Sequence, residues 1–354
     1  MRVVVAMSGG VDSSVAAALM AEAGHDVIGV TLKQWEDGDG NLPTAGCCTV
    51  GDAEDARRVA AQLDIPYYVL DYVDEFRAAV VEPFGNSYLA GQTPNPCVEC
   101  NRTVRFQALL ERTAELGAEV LATGHYARVV QDPDGYALRR GVDPGKDQSY
   151  VLHMLNQDQL ARIQLPVGEL TKPEVRDHAA RLGLRTAAKP DSQEICFVGD
   201  ANYRDFLAEH FPETVRPGPI VDMAGTTIGS HRGTAGFTVG QRRGLGLAVR
   251  QPRFVVEIDA ATSTVVVGDR GDLLAGGCEV RDVSFVSGRP PASPAVEVKV
   301  RYRSRPVAAR LEAVQGRWLV RFDEAQAAIA PGQAAVFYDG DRVLGGGTIE
   351  RSLP

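Results

Sequence analysis

The chain opens on Val3-Val4-Val5-Ala6-Met7, a short continuous apolar run of the kind that forms a strand buried on both faces. An alanine-rich helical pattern follows over 13–23, then an apolar run over 26–32, a helical pattern over 52–63 and another apolar run over 66–70. Helices are expected between 74 and 115, and a last strand over 118–123. Such alternation predicts an α/β domain, a parallel sheet covered by helices on both faces. With the doubly wound strand order 3-2-1-4, the ends of the first and fourth strands flank the switch point where ligands bind. Thr123-Gly124-His125-Tyr126 then lies beside residues 8–14.

Helical patterns continue from about 149 to 182 and again over 202–210. From Pro217 the texture changes to short β-rich runs, Phe254 to Ile258, Thr264 to Val267, Ala295 to Tyr302 and Trp318 to Phe322, separated by Gly, Pro and Asp. The expected organisation is an α/β domain with a helical insert over 1–205, a small central β-rich domain over 206–275 and a β-barrel over 276–354. Sequence repeats and low-complexity segments are absent.

At 354 residues and 44% hydrophobic content the chain can fill several packed cores. No apolar run reaches the length of a membrane span, and the first residues enter a strand without a leader pattern, so a cytoplasmic protein is expected. Six cysteines are too sparse for a disulfide scaffold and in a reducing compartment read as buried thiols, metal ligands or catalytic groups. The net charge of −9 is unevenly spread: residues 1–120 hold 8 basic and 18 acidic side chains, which leaves the rest near +1. Phe237 to Arg253 contains four arginines and no acid, and Arg281 to Glu312 seven basic against three acidic residues. A phosphate backbone would feel such local stripes, although a solvated arginine face has the same composition.

Between the first strand and the first helix stands SGGVDSS, residues 8–14. Two glycines let backbone N–H groups approach an anion, the helix adds the positive end of its dipole, and Ser8, Ser13 and Ser14 add hydroxyls. A Walker loop is excluded because no lysine lies between Arg2 and Lys33, and the dinucleotide fingerprint because the two glycines are adjacent. An ordinary strand-to-helix turn capped by Asp12 would use the same residue types. The segment resembles the phosphate loop of the ATP pyrophosphatases, which split ATP between its α and β phosphates and place AMP on a substrate oxygen. That resemblance implies ATP with magnesium, Asp12 assisting the phosphates or the metal, and Ala6, Met7, Ser8, Gly9, Gly10, Val11, Asp12, Ser13 and Leu32 lining the nucleotide site.

Residues 93–101 read TPNPCVECN and residues 190–198 PDSQEICFV. Together with TGHY at 123–126, KDQSY at 146–150, GQRRGLG at 240–246 and VRYRS at 300–304, they are similar to the tRNA-specific 2-thiouridylase family over nearly the whole chain. The resemblance implies ATP-driven transfer of sulfur to C2 of the wobble uridine, from a persulfide supplied by a desulfurase or relay protein. Cys196 then corresponds to the persulfide-bearing cysteine and Cys100 to its partner nucleophile, and the two close a disulfide during turnover. Gly124 lets the backbone approach ATP. Asn95, Pro96, Cys97, His125, Lys146, Asp147, Gln148, Tyr302, Arg303 and Gln333 occupy positions the family uses for tRNA.

The chemistry agrees with that assignment, since a carbonyl oxygen must be made to leave before sulfur can replace it, and a second thiol must release the sulfur. Many family members have aspartate at position 97 in a general acid/base role. A thiol there could donate a proton, fill space, or exchange with Cys100. Several plainer readings stand beside these. Cys97-x-x-Cys100 with Cys47-Cys48 could hold zinc, although adjacent cysteines chelate awkwardly. Cys278 reads as a small buried hydrophobe, His125 as a core or capping histidine, and Tyr302-Arg303 as a cross-strand pair on a barrel face. Another enzyme of the phosphate-loop class is a further reading, an amide ligase or a different tRNA thiolase; the paired cysteines disfavour the ligase, since adenylation followed by ammonia attack needs no thiol. A non-catalytic tRNA-binding or sulfur-trafficking protein leaves the phosphate loop unexplained.

Overall fold

The computed structural model describes residues 1–36, 49–191, 195–198, 202–248, 251–302 and 304–354. Its first half forms strands β1 (Arg2–Ala6), β2 (Asp26–Lys33), β3 (Tyr67–Asp71), β4 (Val120–Thr123), β5 (Ala127–Asp132), β6 (Gly135–Arg140) and β7 (Ile163–Gln164). A parallel sheet runs β3-β2-β1-β4-β7, which contains the expected 3-2-1-4 order. Val3, Val4 and Val5 are each 0% exposed, because alternate side chains of β1 enter different cores. Val4 packs with Phe76, Phe84 and Leu109, whereas Val3 and Val5 pack with Val15, Ala16 and Val59. Burial of each such side chain stabilises the fold by about 1.5–3 kcal/mol. The covering helices include α1 (Val11–Glu22) and α2 (Val50–Gln62), the latter opened by a capping box between Thr49 and Asp52.

The middle of the chain adds β8 (Gly218–Val221), β9 (Thr227–His231), β10 (Phe254–Asp259) and β11 (Thr264–Gly268), a sheet in the order β10-β11-β8-β9. Its small core gathers Ile220, Phe237, Leu245, Val255, Val265 and Val267. The last part adds β12 (Leu274–Phe285), β13 (Ala295–Lys299), β14 (Val307–Val314), β15 (Arg317–Ala327), β16 (Ala334–Asp339) and β17 (Arg342–Leu353). These run β12-β15-β14-β13-β16-β17, and pairing of β12 with β17 closes the expected barrel. Cys278 is 0% exposed in the barrel core, and burial pushes its thiol up to about 12. Among the described residues no helix is long and apolar enough to cross a membrane.

The structure departs from the sequence pattern in three places. First, β5 and β6 form a hairpin that leaves the first domain and joins the barrel, pairing Arg139 with Arg342 and Leu138 with Val343. Arg128 and Arg139 each reach Asp341 at 2.8 Å, and Tyr150 Oη donates to Ala334 O at 2.8 Å, so barrel and first domain share one core. Second, 149–182 is helical only in part: 3-10 turns at Ser149–Leu152 and Pro166–Glu169, helices at Gln157–Leu160 and Lys172–Arg181, and β7 between them. Pairing of Ile163 with Leu121 draws that segment into the sheet, and a Cβ on Gly168 would lie 1.8 Å from Ala127 O. Third, the strand expected to reach Tyr302 stops at Lys299, and Ser304 N donates to Arg301 O in a turn. Tyr302 is therefore in a turn rather than a cross-strand pair, and Arg303 lies outside the described residues, as do Cys47 and Cys48.

Candidate active site

Strand β1 delivers Ser8 to the edge of the sheet, and Gly9 turns the chain with φ +71. A Cβ there would sit 2.2 Å from Asp52 O, so only glycine lets the loop pack against the start of α2. Gly10 is the N-cap of α1 and makes no side-chain cap, so Asp12 is not the capping residue. The first N–H groups of any α-helix lack an intrahelical acceptor, and here Gly10, Val11, Asp12 and Ser13 face a cavity of about 380 Å³. Ser13 Oγ accepts from Ser8 N at 3.1 Å and holds the loop closed. Ser14 does not serve the cavity: it is 0% exposed and its hydroxyl donates back to Gly10 O at 2.8 Å. On the far side Gly124 ends β4 against α1, where a Cβ would meet Ser13 N at 2.6 Å and Asp12 C at 2.7 Å.

A band of charge surrounds this loop. Asp12 accepts from Tyr126 Oη at 2.6 Å, and Lys172 Nζ donates to its two oxygens at 2.7 and 2.9 Å. Lys172 also reaches Asp191 at 2.7 Å, and Asp191 binds Lys146 at 2.6 Å and Arg176 at 3.3 Å. Burial disfavours the Asp191 carboxylate, but the hydrogen bonds from Lys146 and Lys172 prevail and hold its pKa below the usual value. Lys189 Nζ donates to Gly9 O at 3.0 Å and pairs with Asp52 and Asp55 at 2.7 and 2.8 Å. Burial opposes its charge, and the two carboxylates nevertheless raise its pKa. Burial, followed by the bond to Asp12, raises the Tyr126 phenol, which keeps its proton and donates. Lys146 and Lys189 line the cavity, while Lys172 is buried behind Asp12.

The cysteines enter the same cavity from two other segments. Pro96 starts a helix that runs on through a wide π turn at Cys100–Ala108, with Asn95 Oδ1 accepting from Cys97 N at 3.2 Å as its cap. This places Cys97 exposed and Cys100 buried, with Gln34 Nε2 donating to Cys100 Sγ at 3.4 Å. Cys196 is half-buried beside Phe197, whose ring packs 5.1–5.7 Å from Phe76, Phe84 and Phe206 and anchors the segment. Cys97, Cys100 and Cys196 all line the cavity together with Ala6, Met7, Ser8, Leu32, Gly124, Pro96, His125, Gln148 and Tyr302.

Besides Ser14, four expected residues do not line it. Gly9 shapes the loop from behind, and Asn95 caps the cysteine helix. Asp147 accepts from Gly141 N at 3.2 Å and Ser149 N at 3.1 Å, bracing the loop that carries Lys146 and Gln148. Gln333 Nε2 donates to Thr93 O at 2.8 Å, and Thr93 N to Pro331 O at 2.8 Å, so the barrel holds the start of the cysteine loop. Sequence reasoning missed Gln34, Arg105, Lys172 and Lys189; it placed Tyr126 beside the loop and Asp191 within the second cysteine motif without giving either a role. Lys189 had one sequence signal, its adjacency to that motif. Among the described residues no three His, Cys, Asp or Glu side chains form a metal cluster.

Two histidines are held neutral by burial. The ring of His125 is within 2.7 Å of Thr123 Oγ1, and burial, with the Arg105 charge adding to it, lowers its pKa to about 3. His153 lies under β17, where a Cβ on Gly346 would come within 2.8 Å of its Nδ1. Neither of its ring nitrogens has a partner among the described residues, and burial, with Arg102 adding to it, also lowers its pKa to about 3. Between pH 6.5 and about 3 the unfolded chain therefore binds protons that the folded one refuses. Stability is full above that window and falls as pH drops through it, by about 2 kcal/mol per histidine at pH 5. Urea midpoints should decline from pH 7 to pH 5, and His153→Leu should flatten the decline by about one proton. An unchanged slope would show that His153 titrates normally.

Comparison with known proteins adds identity to this geometry. Residues 1–200 match a family model described as tRNA methyl transferase HUP domain, residues 204–269 a tRNA methyl transferase PRC-barrel domain, and residues 275–349 an aminomethyltransferase beta-barrel domain. A protein of Chloroflexus aggregans named tRNA-specific 2-thiouridylase MnmA is 53% identical, over 99% of this chain and 98% of its own length. Proteins of the same name from Geobacter metallireducens and Moorella thermoacetica are 49% and 50% identical, over 99% and 98% of this chain and 97% and 98% of their own lengths. The methyl transferase wording of the domain descriptions and the thiouridylase names diverge; the names are attached to matches along the entire chain, both cysteine motifs included. On identity and coverage of this order, the chain belongs to the tRNA-specific 2-thiouridylase family.

Proposed function

We propose that the protein is a cytoplasmic enzyme that uses ATP to exchange the C2 oxygen of the tRNA wobble uridine for sulfur. One observation above all supports this reading: Cys100 and Cys196, far apart in sequence, line one cavity with the phosphate loop. The residues present fit ATP. Gly9 and Gly124 let the loop pack on α2 and β4 pack on α1 around the cavity, α1 offers its N-terminus, and Lys146 and Lys189 stand at the wall, each paired with carboxylates. They do not fit a resident magnesium ion on Asp12, whose oxygens are engaged by Lys172 and Tyr126. ATP, when bound, supplies the adenylyl group that turns the uracil C2 oxygen into a leaving oxygen of AMP, with release of pyrophosphate.

The chain's own residues then do the following. Cys196 carries a persulfide delivered by a desulfurase or relay protein. Its outer sulfur bonds to C2 as the C2–O bond breaks, so the uridine is linked through sulfur to Cys196 Sγ. The Cys100 thiolate attacks Cys196 Sγ, the older S–S bond breaks, and its electron pair stays on the sulfur of the new 2-thiouridine. The Cys100–Cys196 disulfide that remains is reopened by an external thiol. His125, kept neutral, can hydrogen-bond a base without adding charge, and Lys146, fixed by Asp191, can meet a phosphate. Pro96, Cys97, Gln148 and Tyr302 line the rest of the tRNA pocket, while Asn95, Asp147 and Gln333 position their loops. Incubation with unmodified tRNA, ATP and a persulfide source, followed by nucleoside mass analysis, is expected to give 2-thiouridine and AMP together. AMP formation with uridine unchanged in mass would overturn the sulfur-transfer reading.

A further inference from the structure

We propose that the loop Gln241–Gly246 of the middle sheet domain is a second phosphate grip, holding the tRNA backbone beside the nucleotide that enters the cysteine cavity. The inference rests on the tRNA reading above and gives it a contact in a domain that supplies no residue of the cysteine cavity. From Met223 to Val256 the chain has no acidic side chain, and four of its five arginines lie between 242 and 253.

The loop is stiff and fixed in place. Thr238 N donates to Gln241 Oε1 at 3.1 Å, Gln241 Nε2 to Arg243 O at 3.0 Å, Gly240 N to Val255 O at 2.7 Å, and Val255 N to Gln241 O at 2.9 Å. Leu245 is buried in the middle core, and Gly244 and Gly246, with φ of +73 and +68, turn the chain around it. Arg242 and Arg243 stay exposed, with no ion pair among the described residues. Other arginines nearby are occupied: Arg253 binds Asp269 at 2.8 Å, and Arg301 donates to Val239 O at 2.8 Å and Ala328 O at 2.6 Å. An open cleft of about 360 Å³ beside the loop is lined by Arg242, Leu245, Leu247, Gln251, Pro252 and Arg253.

Its place is what selects nucleic acid. The loop leaves a junction of all three domains: Thr238 Oγ1 lies 3.3 Å from Thr93 Oγ1 at the start of the cysteine loop, and Arg301 clamps Val239 next to Tyr302 of the cavity wall. Leading from that junction, the loop carries two guanidinium groups with no ion pair among the described residues, and Arg matches phosphate through bidentate hydrogen bonds.

The test is the salt dependence of tRNA binding by the full chain and by the double variant Arg242→Ala, Arg243→Ala. Losing two phosphate contacts should lower the slope of log K against log salt by about 1.4–1.8, and weaken binding about 25- to 60-fold at 0.1 M salt. The double lysine variant should recover most of the slope, which separates charge from loop damage; an unchanged melting temperature of the alanine variant checks the same point. A salt-sensitive wild type matched by an equally sensitive alanine variant overturns the inference alone. Salt-insensitive wild-type binding strikes the tRNA reading itself. Loss confined to assays with a protein persulfide donor would overturn the inference and assign the loop to an acidic partner protein.

Discussion

Cys196→Ser is expected to abolish formation of 2-thiouridine, by at least about a thousandfold, while pyrophosphate release with tRNA present continues. Serine is nearly isosteric and Cys196 is only half-buried, so the anchoring of Phe197 among Phe76, Phe84 and Phe206 should survive. What disappears is the sulfur that can carry a second sulfur, since a hydroxyl forms no persulfide. The activating step proposed above draws on the phosphate loop, which does not contain Cys196. Cys100→Ser should fail later, leaving tRNA attached through a disulfide to Cys196, visible as a mass adduct that a reductant removes. Persistent thiolation in Cys196→Ser would remove that residue from the mechanism, whatever the behaviour of Cys100.

Gly124→Ala is expected to disable the opposite half of the reaction. The new methyl would lie 2.6 Å from Ser13 N and 3.0 Å from Ser13 Cα, atoms of the first turn of α1 that cannot rotate away. Either β4 moves from β1, where Thr123 pairs with Ala6, or α1 is pushed back from the sheet. Overpacking of this kind costs about 1–3 kcal/mol of stability. A displacement approaching 1 Å at a positioned phosphate costs about a hundredfold in rate. ATP-dependent pyrophosphate release should therefore fall about a hundredfold, with a higher KM for ATP, whereas persulfide loading of Cys196 should proceed. Wild-type ATP turnover in this variant would show that the close approach of β4 to α1 is incidental to nucleotide use.

The two variants fail at different steps because the cavity is assembled from segments whose legibility in the sequence differed. SGGVDSS was readable because its role depends on its own backbone and on the helix that follows at once. The strand order also followed, since alternating apolar runs and helical patterns admit few right-handed arrangements. The lysine band was not readable. Lys172 sits 160 residues from Asp12, and nothing in KPEVR marks it as buried against that carboxylate. Asp147 and Gln333 were placed near RNA by motif, yet their hydrogen bonds go to Gly141, Ser149 and Thr93, which a motif does not encode.

The hairpin at 127–140 marks the same boundary between local and long-range information. Its residues, ARVVQD and GYALRR, carry no clear alternation, and their extension of the barrel depends on Arg342 and Val343, about 200 positions away. By itself, then, the sequence determined the parts that local chemistry dictates: the buried first strand, the glycine-shaped loop, the thiol motifs and the β texture of the second half. Tertiary contacts alone settle which distant charges meet at Asp12 and Asp191 and that Tyr302 ends in a turn at the cavity wall. The physical reason is that backbone preference acts over a few residues, whereas ion pairing, strand addition and burial are set by contacts between elements far apart along the chain.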